Sequence, residues 1–154
     1  MEEGMQYRMD HQSFLAASNG DLQFFDKLTH PISSTLLQVT TEKNTILHVA
    51  LQYKKFELAE KMVNLSPRLV YEKNSKGNTP LHVATMVGTS SLVRLLIDHA
   101  KKFDIKSGGG QLLGMLNLYG DTTLHVAVRY GKSEIVKVLI TEGPELAMCV
   151  NNAW

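Results

Sequence analysis

A six-residue pattern, T-x-L-H-V-A, occurs three times in this chain of 154 residues. Its copies begin at Thr45, Thr79 and Thr122. The first two copies are 34 residues apart and the last two are 43 apart, so one unit carries an insertion of about nine residues. Self-similarity at such a period indicates a stack of similar supersecondary units, because a single unit cannot bury its apolar face alone.

Each copy of the pattern is followed by apolar residues at helical spacing. In the second unit this spacing predicts an inner helix from about 45 to 53 and an outer helix from about 56 to 65. Glycine stands at the turn between the two helices in the later units, at Gly88 and Gly131, whereas the second unit has Lys54 there. We therefore expect Lys54 to adopt a left-handed backbone at a cost of about 1 kcal/mol.

The motif and its period resemble the ankyrin repeat, whose signature is T-P-L-H-x-A at about 33 residues per unit. The resemblance implies an all-α solenoid of about four helix-turn-helix repeats joined by β-hairpin-like loops. On that plan residues 1–12 are a loose lead-in and 13–154 form the repeat domain, with a degenerate first repeat that caps the stack. The predicted repeats are 13–38, 39–72, 73–116 with a flexible glycine-rich insertion near 101–116, and 117–150, and 151–154 begin a further repeat.

The residues of the motif have structural explanations. Thr45, Thr79 and Thr122 stand where a hydroxyl can cap the inner helix, which stabilises it by about 1 kcal/mol. Pro80 suits the first helical turn, where its missing N–H costs nothing. The resemblance implies that one histidine per repeat bonds to the backbone and to the neighbouring repeat, locking the units in register: His48, His82 and His125.

The same histidines could instead be read as metal ligands. One imidazole per repeat places successive rings about 10 Å apart, the packing distance of neighbouring elements. Zinc requires its nitrogen ligands about 2 Å from a common point. The spacing therefore favours structural histidines, and we expect neither a metal nor a cofactor.

Composition and motifs argue against several other classes of function. A net charge of +1 from 16 basic and 15 acidic residues gives no electrostatic signature for nucleic acid. No phosphate-binding loop, nucleophile elbow or metalloprotease motif appears, so we expect no enzyme. Residues 108–110 are glycines without a phosphate-loop context and indicate a flexible linker, and Cys149 fits a partly buried small residue. No apolar run approaches the roughly 20 residues of a membrane span, and we expect a cytoplasmic, reducing environment.

The resemblance also implies a concave face, formed by the hairpin tips and the exposed ends of the inner helices, that binds another protein. The residues carried onto that face are Gln52, Tyr53, Lys76, Asn78, Met86, Val87, Tyr119, Asp121, Arg129 and Tyr130. The same positions also include Thr41, Glu42, Asn44, Ser75 and Leu118. Tyrosine and arginine are enriched in binding hot spots, which favours a contact surface. Alternatively, Tyr53, Met86 and Tyr130 pack along neighbouring repeats as core.

A closer resemblance is carried by three segments: S-P-R-L-V-Y-E-K-N-S-K-G-N-T-P-L-H-V-A at 66–84, L-L-G-M-L-N at 112–117 and E-G-P-E at 142–145. They are similar to plant ankyrin proteins of the accelerated-cell-death-six type. Those proteins place such an array, facing the cytosol, ahead of a C-terminal membrane domain, the PGG domain, and are associated with defence and salicylic-acid signalling.

This closer resemblance leaves two functions open. The first is a non-enzymatic protein-interaction module in plant defence or stress signalling. The alternative is a cytosolic regulatory fragment of a membrane-anchored transport or channel-like protein, whose membrane half has no counterpart here. Because the fourth repeat looks uncapped from its sequence, self-association through that repeat is a further expectation.

Overall fold

The structure, a computed structural model, describes residues 7–27, 36–103 and 110–144. These ranges contain nine α-helices, one 3-10 helix and two strands of two residues each. The strands are β1 (Tyr7–Arg8) and β2 (Gln38–Val39), and the 3-10 helix is Pro67–Tyr71. The α-helices are α1 (His11–Asn19), α2 (Leu22–Asp26), α3 (Ile46–Gln52), α4 (Phe56–Leu65), α5 (Pro80–Val87), α6 (Ser90–Phe103), α7 (Gly110–Gly114), α8 (Thr123–Arg129) and α9 (Ser133–Glu142).

The helices form two layers. The inner layer is the row α1, α3, α5 and α8, in which each helix packs against the next, and the outer layer contains α4, α6 and α9. The inner helices α3, α5 and α8 each pack on the outer helix that follows, and α1 packs on α2. Every repeat is therefore a helical hairpin stacked on its neighbour. This confirms the predicted all-α repeat solenoid.

A continuous apolar core runs along the stack between the two layers. Its largest fully buried side chains are Ile46, Leu47, Leu51, Leu58, Met62, Leu81, Leu92, Leu96, Ile97, Leu112, Leu113 and Leu124. Each repeat contributes to this core, and residues from neighbouring repeats complete it. Burial of this apolar surface is therefore shared between units, which is why one unit would not fold alone.

A short strand precedes the first helix. The strand β1 pairs in parallel with β2, so that Tyr7 lies opposite Gln38 and Arg8 opposite Val39. Met9 follows with only 8% of its surface exposed, and α1 begins at His11 with Asp10 as its cap. The predicted loose lead-in at 1–12 thus contains a strand that attaches the first repeat to the second, because a short backbone pairing needs no sequence signature of its own.

Hairpin-like loops precede three of the inner helices and are called fingers here: finger 2 (40–44), finger 3 (74–78) and finger 4 (117–121). In finger 3 the Asn74 N–H donates to the Asn78 carbonyl and the Gly77 N–H donates back to Asn74. The other fingers repeat this pattern. The tight turn requires a positive φ, which Gly77 and Gly120 supply, and Lys43 adopts it at 63° in finger 2.

The turn between the two helices of the second repeat has the backbone conformation that the sequence predicts. Lys54 has a φ of 58°, in the left-handed region occupied by Gly88 and Gly131 in the later repeats. The second repeat therefore carries a lysine at both of its left-handed positions.

The insertion in the third repeat is narrower than its predicted bounds of 101–116. Leu112 and Leu113 are 0% and 2% exposed, and α7 packs against α6 and α8. They stand ten and nine residues before Thr122, as the buried Leu69 and Val70 stand before Thr79. The nine extra residues are therefore 100–108, of which 100–103 lengthen α6. A short apolar pair next to glycines gave no periodicity from which this buried turn could be predicted.

Several predicted features lie outside the described residues. These are Gly108 and Gly109, Cys149, and the expected beginning of a further repeat at 151–154.

Candidate protein-binding surface

The threonine and histidine of each motif bond reciprocally across the first turn of the inner helix. In the third repeat the His82 backbone N–H donates to Thr79 Oγ1 at 3.3 Å, and the Thr79 backbone N–H donates to His82 Nδ1 at 3.1 Å. Two of the helix's otherwise unsatisfied donors are thereby satisfied. The same pair of bonds occurs in the other two motifs, at Thr45 with His48 and at Thr122 with His125.

The opposite ring nitrogen of the histidine joins one repeat to the next. Since Nδ1 accepts from the threonine N–H, the neutral ring carries its proton on Nε2. His48 Nε2 then donates to the Asn78 carbonyl at 3.0 Å, and His82 Nε2 donates to the Asp121 carbonyl at 2.9 Å. Burial lowers the pKa of His48 to about 4 and also lowers the pKa of His82, so both rings are neutral at pH 7.

Successive fingers are joined by a second set of bonds. The Asn74 Nδ2 group donates to Asn44 Oδ1 at 2.8 Å, and one repeat later Asn117 Nδ2 donates to Asn78 Oδ1 at 3.0 Å. Backbone bonds run alongside, from the N–H of Ser75 to the Glu42 carbonyl and from the N–H of Leu118 to the Lys76 carbonyl. The fingers therefore form one connected ribbon rather than independent loops.

Two shallow clefts open on the side of the stack that carries the fingers. Each lies between two successive fingers and the exposed ends of the inner helices beside them, and their volumes are about 230 and 300 Å³. The 2/3 cleft is lined by Glu42, Asn44, Gln52, Asn74, Ser75, Lys76, Asn78, Val83, Met86 and Val87. The 3/4 cleft is lined by Lys76, Asn78, Met86, Asn117, Tyr119, Asp121, Val126, Arg129 and Tyr130.

The repeat geometry agrees with a comparison against protein-family models. The model for ankyrin repeats (3 copies) matches residues 13–108 and 68–152. The chain belongs to the ankyrin repeat family. We call the surface formed by the residues that line these two clefts the concave face, after the binding face that the ankyrin resemblance implies.

Two proteins are similar in sequence to part of this chain. The Arabidopsis thaliana protein named Protein ACCELERATED CELL DEATH 6 is 31% identical over 94 residues, which are 61% of this chain and 14% of that protein. A Caenorhabditis elegans protein named Leucine-rich repeat serine/threonine-protein kinase 1 is 29% identical over 84 residues, which are 54% of this chain and 4% of that protein. The chain thus spans a small part of either relative.

Most of the predicted partner-binding residues of the ankyrin array are accessible. Tyr53, Tyr119 and Tyr130 are 49%, 71% and 53% exposed. Gln52, Lys76 and Arg129 are also exposed, and Met86 and Val87 are half-buried at the ends of the clefts. The ring of Tyr53 makes an edge contact with Phe14, with centroids 6.2 Å apart, and so lies partly on the first repeat.

Asn78 and Asp121 differ from the other predicted residues because they are 5% and 6% exposed. Asn78 accepts the amide bond from finger 4, and Asp121 forms an ion pair with the Arg129 guanidinium. Their polar groups are used inside the array, so they position their neighbours rather than offer surface. The position before the capping threonine is buried because the finger turns back there.

Sequence reasoning did not identify the asparagines that join the fingers. Asn74 and Asn117 each stand five residues before the capping threonine, and each Oδ1 accepts two backbone N–H groups of its own finger. Their equal spacing from the motif was the available signal. It points to a turn but does not show that the amide nitrogen reaches the preceding finger.

The fourth ankyrin repeat has little exposed apolar surface at its core positions. Leu124, Ile135 and Leu139 are 2%, 1% and 0% exposed in the single chain. These three side chains therefore offer no exposed apolar surface to a second copy of the chain. The predicted self-association stays a prediction.

Among residues 7–27, 36–103 and 110–144, no group of three or more histidine, cysteine, aspartate or glutamate residues could hold a metal ion. Within the same ranges no helix has the length and apolar character needed to cross a membrane.

Proposed function

We propose that this chain is a non-enzymatic protein-interaction module that binds a partner through its concave face. The observation that supports this most directly is the exposure of Tyr119, Arg129 and Tyr130 around one cleft. Ankyrin repeats mediate binding between proteins, and the family match covers most of the chain. The apolar core of the described residues is buried without these three side chains. Core packing therefore does not explain why they stand at the surface.

The physical case is that these side chains bury much area at little entropic cost. A tyrosine has only two main rotatable bonds and presents an apolar ring with a polar tip, so it binds with little loss of freedom. The fingers that carry Tyr119 and Lys76 are fixed to each other by the Leu118 N–H bond, 3.0 Å long. A preorganised surface keeps more of its contact energy as affinity.

The test is affinity capture with three versions of the chain. Tyr130→Ala combined with Met86→Ala removes contact surface, while Ile140→Ala, which truncates a 40% exposed side chain of α9, is the matched control. We expect the same proteins to be captured by the unmodified chain and the control and to be lost with the double variant. Equal capture by all three versions would contradict the proposal.

Thermal unfolding of the same proteins separates contact from core. We expect the double variant to unfold within a few degrees of the unmodified chain, because its side chains are only partly buried. A large fall in Tm would instead assign Met86 and Tyr130 to the core.

We also propose a biological setting in plant defence or stress signalling. The support is the similarity to the Arabidopsis relative over 61% of this chain together with the sequence segments at 66–84, 112–117 and 142–145. The test is loss of the gene in the source plant, which we expect to change the response to pathogen challenge. An unchanged response would contradict this setting without affecting the binding surface.

A second candidate is a cytosolic regulatory array attached to a membrane transport or channel-like protein. The same resemblance to proteins with a membrane domain supports it. Sequencing of transcripts that encode residue 154 provides the test. Reading frames that continue into apolar spans would support this candidate, and a stop codon in every transcript would contradict it.

A further inference from the structure

Charge is distributed unevenly over the repeats. The fingers, inner helices and turns of repeats two to four occupy three equivalent segments, 40–55, 74–89 and 117–132. These segments hold six basic and two acidic residues, a net charge of +4. The whole chain carries +1, so the remaining residues together carry −3. The basic residues are Lys43, Lys54, Lys55, Lys76, Arg129 and Lys132.

The two acidic residues of this surface have different exposure. Glu42 is exposed at finger 2 and lines the 2/3 cleft, whereas Asp121 is 6% exposed and paired with Arg129. The 3/4 cleft therefore has no exposed acidic side chain in its lining. Its exposed charged residues are Lys76 and Arg129, and Lys132 lies at the following turn against Gly88.

The 3/4 cleft is the one that has tyrosines in its lining. Tyr119 and Tyr130 stand at its rim, and Met86 and Val126 contribute to its wall. Its volume of about 300 Å³ can seat one large side chain. Aromatic rings bind well between tyrosines, in offset or edge-on contacts, and methionine adapts to an apolar partner.

We propose that the 3/4 cleft binds a short acidic segment of a partner protein that carries one aromatic or large aliphatic side chain. This inference rests on the proposed function and names the chemistry of the partner. The apolar side chain sits between Tyr119, Tyr130 and Met86. Carboxylates on either side of it are attracted by Lys76 and by the Arg129 guanidinium.

Asp121 is a positioning residue in this arrangement. Its buried carboxylate holds the Arg129 side chain, which remains 54% exposed, at the edge of the cleft. The Asp121 carboxylate partly neutralises the charge of Arg129. The net attraction for an acidic segment therefore comes largely from Lys76 and the neighbouring lysines. An attraction between exposed charges also weakens as salt increases.

The probe is a displayed library of random linear peptides selected on the full chain. We expect the enriched peptides to place aspartate or glutamate around one aromatic, leucine or methionine residue. Binding of the best synthetic peptide is then measured at low and at physiological ionic strength, and we expect weaker binding at the higher one.

Four variants locate the bound peptide. We expect Lys76→Glu and Tyr130→Ala each to weaken binding by about tenfold, as for hot-spot residues. We also expect Arg129→Ala to weaken binding. Lys102→Glu is the control, because it makes the same charge change as Lys76→Glu at an exposed position of α6, and it should leave the affinity within about twofold. Circular dichroism melting of each variant confirms that it folds.

Each other outcome has a defined meaning. Enriched peptides without acidic bias that still require Tyr130 would overturn this inference and leave the concave-face function standing. Acidic peptides unaffected by every concave-face variant would overturn both. A selection that enriches no peptide would show that the cleft does not recognise a linear segment, and the capture experiment would then decide the proposed function by itself.

Discussion

At the scale of single residues, the motif owes its form to hydrogen-bond geometry. Thr79 and His82 satisfy each other's backbone N–H groups at the start of α5, and the far nitrogen of the ring donates to the next repeat. One imidazole thus completes a helix cap and a contact between repeats. No smaller side chain has two ring nitrogens on opposite sides, which is the physical reason for a histidine here.

Two glycines in equivalent positions should differ in their tolerance to substitution. Gly77 and Gly120 have φ of 77° and 80°, but a β-carbon on Gly77 would lie 2.6 Å from the Leu118 backbone nitrogen, whereas no atom of the described residues lies within 4 Å of a β-carbon on Gly120. We expect Gly120→Ala to cost about 1 kcal/mol of unfolding free energy and Gly77→Ala about 3 kcal/mol. Urea denaturation checks this. Equal costs would mean that finger 4 moves aside.

The left-handed lysine of the second repeat gives a stabilising substitution. Lys54→Gly should raise the unfolding free energy by about 0.5 kcal/mol, since relief of the left-handed strain exceeds the added entropy of the unfolded chain. Lys55→Gly is the matched control, because the φ of −93° at Lys55 is ordinary and glycine there relieves no strain. It adds entropy to the unfolded chain and removes the lysine stem that lies beside Gly20, so it should lower the unfolding free energy. Denaturant unfolding of both variants provides the measurement. A loss of stability in Lys54→Gly would show that the left-handed backbone at Lys54 is not strained.

At the scale of elements, equivalent positions in different repeats share an environment even where their secondary structure differs. The 3-10 helix Pro67–Tyr71 and the α-helical turn α7 have unrelated sequences, yet both bury a pair of apolar residues before the next finger. The insertion before α7 changes the length of the outer helix α6 and leaves that buried pair in register. Stacking therefore constrains the core contacts more tightly than the path of the chain.

Truncation of the buried pair tests this reading of the third repeat. Leu112→Ala should lower the unfolding free energy by about 3 kcal/mol, because Leu112 is 0% exposed. Leu116→Ala, at a 48% exposed position four residues later, should change it by less than about 0.5 kcal/mol. Both variants are measured by denaturant unfolding. Similarly small effects in both would instead support the predicted flexible insertion over 101–116.

At the scale of the whole molecule, the buried histidines couple the stability of the stack to pH. His48 has its pKa lowered to about 4 and His82 has its pKa lowered, while an unfolded histidine titrates near 6.5. Below about pH 6.5 the unfolded state therefore binds more protons than the folded state. Their neutral rings favour folding above that pH, and this contribution is lost as the pH falls towards 4.

We expect the unfolding free energy to decrease on acidification from pH 6.5 towards 4, with each histidine contributing a slope of up to about 1.4 kcal/mol per pH unit. Urea unfolding at a series of pH values gives this slope. His48→Gln should be less stable at pH 7 but show a shallower pH dependence. An unchanged slope in that variant would exclude His48 as a source of the effect.

The sequence determined the repeat architecture because its signals are local. Helix capping by Thr79, the apolar spacing of α4 and the left-handed turn at Lys54 each depend on residues within a few positions, so the motif and its period specify them. The placement of Tyr53, Tyr119 and Tyr130 on a contact face came from the ankyrin resemblance, and the structure shows all three side chains exposed.

Only the tertiary structure decided which contacts cross from one repeat to the next. The amide bond from Asn117 to Asn78 joins residues 39 positions apart, and the parallel pairing of Tyr7–Arg8 with Gln38–Val39 spans a similar separation. It also decided that Asn78 and Asp121 are buried and that the insertion ends before α7. These features depend on the distance between units once they are stacked, and no periodicity within a single unit encodes that distance.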